Sequence, residues 1–152
     1  MKKKILLIIT VVIAAVIFFH SSMPATESTV ESDGAYSILD GFTSFFHLPN
    51  LFNAVTIRKL AHFAEYAIYG FFLSATIKAY CGGLKSEVFK VLFLLLSVPV
   101  IDEWIQYFPA GRSAQVSDVI LDFSGGVFGL ICLVVLVYIV SRVRLRKGKR
   151  SE

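Results

Sequence analysis

Three runs of ionisable residues lie inside otherwise apolar sequence: Arg58-Lys59-x-x-His62-x-x-Glu65-Tyr66, Asp102-Glu103-x-x-Gln106 and Asp118-x-x-x-Asp122. Carboxylates and an imidazole are groups that move protons, hold divalent cations, or accept hydrogen bonds from hydroxyl and amide donors. The basic groups beside them suit phosphate or carboxylate, and an Arg engages two oxygens at once. A charge near the middle of a membrane helix costs about 2.5–3.5 kcal/mol on insertion scales, so charges kept there usually mark a site.

Membrane helices are the elements that must position these groups. The chain has 152 residues, is 56% hydrophobic and only 17% charged, which is too apolar for an ordinary soluble domain and too short for a separate soluble catalytic module. Hydropathy places spans at about 5–22, 58–80, 88–108 and 116–141, an outer loop at 23–57 and a basic tail at 142–152. The expected fold is all-α, a four-helix transmembrane bundle forming one domain over 1–152, in a multi-pass protein of the cell membrane. The first span, after Lys2-Lys3-Lys4, also resembles a signal peptide. Cleavage after Ala25 would put Met23 and Pro24 before the scissile bond, a poor small-x-small site, so the segment reads as a retained anchor.

Orientation follows from the basic residues. With the N-terminus inside, the inner side receives Lys2, Lys3, Lys4, Lys78, Lys85, Lys90 and every Arg and Lys of the tail, whereas the outer side receives only Arg58, Lys59 and Arg112. That bias predicts cytoplasmic N- and C-termini. It also explains the net charge of +4 without nucleic acid, for which no base-stacking module is present. Cys81 and Cys132 are too far apart in sequence to suggest a disulfide framework or a metal pair.

This topology gathers the polar residues at the outer end of the bundle. Arg58, His62, Glu65, Tyr66 and Tyr69 share one helical face, as do Pro99, Asp102, Glu103 and Gln106, and Asp118, Asp122, Gly125, Gly126 and Gly129. The glycines of the last group would allow close approach to a neighbouring helix, and Pro99 is expected to kink the third span. In the outer loop, Ile38, Leu39, Phe42, Phe45 and Phe46 recur at helical spacing and suit an interfacial helix or one packed over the bundle. Asn50 is a candidate N-cap, and Pro109-Ala110-Gly111-Arg112-Ser113 has turn chemistry that would carry Arg112 over the acids.

Three readings of the polar groups stay open. In the binding reading, Arg58, Lys59, His62, Glu65, Tyr66, Asp102, Glu103, Gln106, Arg112, Asp118 and Asp122 hold a lipid head group or a lipid-linked precursor. In the enzymatic reading, His62, Glu65, Asp102, Asp118 and Asp122 are the catalytic candidates, acting with or without a metal, but no nucleophile motif or lipid-phosphatase signature accompanies them. In the structural reading, the charges lock helices together. This is an expensive arrangement, because membrane polar pairs contribute only about 0.6 kcal/mol on average. Lys59 and Glu103 are the members most easily explained as solvated. The residues favour non-enzymatic binding, with no cofactor or dedicated metal set, and with membrane lipid or a second copy of the chain as partner.

The motifs RKLAHFAEYAIYG (58–70) and DEWIQYFPAGRSAQVSDVILDFSGGVFG (102–129), with the HSS ending the first span, resemble the VanZ-like family of small membrane proteins over essentially the whole chain. That family takes its name from a protein associated with teicoplanin resistance. The resemblance implies an influence on susceptibility to drugs that target lipid-linked cell-wall precursors.

Overall fold

The computed structural model describes residues 2–24, 34, 54–109 and 114–148. Among them are four α-helices and no strand: α1 (Lys2–Ser21), α2 (Ala54–Cys81), α3 (Val88–Gln106) and α4 (Val116–Gly148). The expected interfacial helix, the Asn50 cap and the turn carrying Arg112 lie outside the described residues.

By length and composition, α1 and α4 can each cross a membrane. Helix α2 carries Glu65 with Arg58 and Lys59, α3 carries Asp102 and Glu103 with Lys90, and α4 carries Asp118 and Asp122. Side-chain partition is inverted relative to a soluble domain. Ile8, Phe19, Phe89, Phe93, Trp104 and Ile120 are exposed, whereas Asp102, Glu103, Gln106 and Asp122 are buried. Apolar surface outside and polar groups inside is the arrangement a lipid solvent favours.

Successive helices run in opposite directions. Lys3 lies over the Tyr80 ring, Thr10 and Thr76 share a buried hydroxyl contact of 2.9 Å, and His20 meets Glu65, so α1 descends alongside α2. The same up-and-down alternation brings the C-terminal ends of α1 and α3 together with the N-terminal ends of α2 and α4. Ile17, Tyr66, Tyr69, Leu73, Ile77, Val91 and Leu95 form the apolar core beneath that polar end.

The α2–α4 contact is the most extensive in the bundle, and glycine makes it possible. A Cβ at Gly125 would lie 2.5 Å from the Phe63 carbonyl oxygen. One at Gly129 would collide with the Ala67 carbonyl, and one at Gly70 with the backbone of Gly126. The glycine face expected from spacing is therefore the face that α2 packs on.

A helix need not end where its membrane span does. Helix α4 continues through Arg142 to Gly148 rather than ending near 141. No Gly or Pro interrupts it between Gly129 and Gly148, Arg and Lys are good helix formers, and basic side chains suit a helix C-terminus. Helix α3 stops at Gln106, and Pro99 is buried within it.

Candidate functional site

The polar end of the bundle holds two groups of residues that differ in burial. The inner group is His62 from α2, Asp102 from α3 and Asp122 from α4. One ligand-type atom from each lies within 4.8 Å of the others. His62 Nδ1 is 3.9 Å from Asp122 Oδ2, with the Asp122 side chain 2% exposed and that of His62 23%. Each helix supplies its residue from the polar face set by i, i+3 or i+4 spacing, which is why three residues distant in sequence reach one point.

Gln106, one turn beyond Asp102, fixes that carboxylate. Its Nε2 donates to Asp102 Oδ2 at 3.0 Å and to Ser21 Oγ at 3.2 Å, which ties the end of α1 to α3. Tyr66, one turn below His62, is fully buried. Among the described residues its hydroxyl, Asp102 Oδ1 and Asp122 Oδ1 have no hydrogen-bond partner. Leaving a buried polar atom unpaired costs about 1–3 kcal/mol, and more for a charged one. Buried groups of this kind call for a partner such as a water, an ion or a ligand group.

The outer group is more exposed. Lys59 Nζ lies 3.5 Å from Asp118 Oδ1, with side chains 46% and 26% exposed. His20 Nδ1 lies 3.3 Å from Glu65 Oε1, both partly exposed. Arg58 lies on the first turns of α2. These groups form a rim of mixed charge around the buried acids. Arg112 lies outside the described residues.

Not every expected member joins the inner group. Glu65 turns to α1 and pairs with His20, and Asp118 stays at the rim with Lys59. Glu103 is buried rather than solvated, and its carboxylate accepts the Gln115 backbone N–H, fastening the approach to α4 against α3. It also lines a shallow groove of about 250 Å³ with Val100, Trp104, Tyr107 and Val119. Lys59 is paired rather than simply solvated. His20 and Ser21 were not among the expected site residues. Their only sequence signal is a polar HSS triplet closing an otherwise apolar helix.

Chemically, the inner group presents acceptors surrounded by apolar packing, and the rim presents cations. A ligand with hydroxyl, amide or cationic groups beside a phosphate would meet complementary partners at both depths. Comparison with known proteins adds one finding: a family model described as VanZ/LLP1 matches residues 6–138, which reach into all four helices. No curated protein and no solved structure matches the chain.

Proposed function

The chain belongs to the VanZ/LLP1 family, and on that premise we propose that it is a four-span membrane protein that binds the polar head group of an envelope lipid or lipid-linked cell-wall precursor. Both termini are cytoplasmic, and the polar end of the bundle opens at the outer leaflet. The inner acids accept hydrogen bonds from sugar hydroxyls, amides or an ammonium group, while Lys59 and Arg58 at the rim meet phosphate. Through that lipid, the protein influences susceptibility to teicoplanin and related glycopeptides.

The observation that carries this reading is the set of buried, unpartnered acceptors on Asp102 and Asp122 beside the Tyr66 hydroxyl. A purely structural network would have satisfied them, as it does at the Lys59–Asp118 and His20–Glu65 pairs. The polar-inside, apolar-outside partition supports placement of all four helices in lipid.

Lipidomics tests the reading. Lipids carried through detergent purification are extracted and identified by mass spectrometry, for the wild type and for Asp102→Asn. The expected result is one head-group class enriched over the membrane average with the wild type and returned to that average in the variant. A co-purified lipid profile matching the bulk membrane in both proteins would refute head-group binding.

A further inference from the structure

We propose that His62, Asp102 and Asp122 form a binding site for one divalent cation of the zinc or manganese type. Three helices each contribute one ligand: an imidazole nitrogen from α2 and a carboxylate oxygen from each of α3 and α4, all within 4.8 Å of one another. Metal–ligand bonds of roughly 2.0–2.2 Å put donors on opposite sides of an ion about 4.4 Å apart, so small side-chain rotations close this set on a cation. An imidazole with two carboxylates selects a borderline transition cation over calcium or magnesium, which prefer oxygen alone.

Observations beyond the cluster itself point the same way. The Tyr66 hydroxyl is fully buried one turn from His62, within reach of Asp102, and makes no well-formed hydrogen bond among the described residues. Asp102 Oδ1 and Asp122 Oδ1 are likewise buried and unpartnered, so each carboxylate keeps one oxygen available to an ion. The second oxygen of Asp102 is held by Gln106, which is in turn anchored to Ser21. An outer hydrogen bond that orients a ligating carboxylate is a regular feature of metal sites.

Charge balance supplies the need. Two carboxylates buried in an apolar bundle must either hold a proton or be balanced by positive charge. Lys59 is directed to Asp118 at the rim, and His20 to Glu65. His62 can neutralise at most one of the two acids. A divalent cation balances both and pins α2, α3 and α4 together at their outer ends. The cation uses the same aspartate oxygens that the head-group reading assigns to the lipid, so this inference deepens that reading, with the head group held through the ion. When a head group is present, the ion's remaining coordination positions suit its phosphate or hydroxyl oxygens.

The test uses the full-length protein in detergent, stripped with EDTA, dialysed and titrated with MnCl2 or ZnCl2 alone. Elemental analysis should find one equivalent retained per chain. His62→Gln, Asp102→Asn and Asp122→Asn should each weaken retention by about tenfold or more, while Glu87→Gln, at the opposite end of the bundle, leaves it unchanged. A readout on the wild type guards against variants that fail to fold. Electron spin-echo modulation of the manganese-loaded protein should show a directly bound imidazole nitrogen, which His20→Gln preserves. No uptake by the wild type, uptake indifferent to all three substitutions, or manganese lacking the nitrogen signature would each overturn the site. Metal retained without any enriched lipid would sustain the site and remove the head-group reading, and the reverse result would do the opposite.

Discussion

Gln106 shows how much depends on single side chains at the polar end. One amide nitrogen serves both Asp102 Oδ2 and Ser21 Oγ, so its removal strips a donor from a buried carboxylate and from the end of α1. Gln106→Ala should lower stability by about 1–3 kcal/mol, seen as a reduced midpoint of thermal unfolding in detergent. An unchanged midpoint would show that the amide holds nothing in place. At this scale the sequence is informative about which residues matter but not about how they pair. Residue type and helical spacing single out Arg58, His62, Glu65, Asp102, Gln106, Asp118 and Asp122 together, without separating buried members from those at the rim. Spacing also puts Glu65 on the same face as His62, yet Glu65 turns to His20. That choice depends on rotation about α2 and on where α1 ends, and neither is encoded locally.

Among the elements, the α2–α4 contact decides whether the site assembles. Two of the three inner residues sit on these helices, and Gly70, Gly125 and Gly129 allow their backbones to touch. Gly129→Ala forces a methyl group against the Ala67 carbonyl and should cost about 1–3 kcal/mol while moving His62 away from Asp122. Gly83→Ala has open space around the new methyl group and should be neutral. Comparing the thermal unfolding of the two variants checks the claim, and equal stability would contradict it. The glycine face of α4 is visible as a period in the sequence. Its partner helix is not, because any of three neighbours could meet it. The extension of α4 to Gly148 escapes hydropathy for a simple reason: a basic segment ends a membrane span without ending a helix.

For the whole molecule, the arrangement of charge along the bundle is the governing fact. Polar acids gather at one end, while Lys2, Lys3, Lys4, Lys78, Lys85 and Lys90 belong to the other. This convergence is legible in the sequence, because alternating spans and the placement of basic residues suffice to sort the ends. The depth of burial is not legible there, since it depends on how closely the helices pack. The orientation itself is testable. In a Cys132→Ser background, Arg112→Cys should react with a membrane-impermeant maleimide on intact cells. Cys81, exposed at the opposite end, should react only after permeabilisation. The reverse pattern would invert the proposed topology and put the site on the cytoplasmic side.

The most direct measurement is native mass spectrometry of the intact protein released from detergent, with the wild type beside Asp122→Asn and Gly83→Ala. One lipid of a single head-group class is expected per wild-type chain, retained by Gly83→Ala and lost by a still-folded Asp122→Asn. Wild-type chains released without lipid, or lipid held equally by all three proteins, would contradict a head-group site at the buried aspartates.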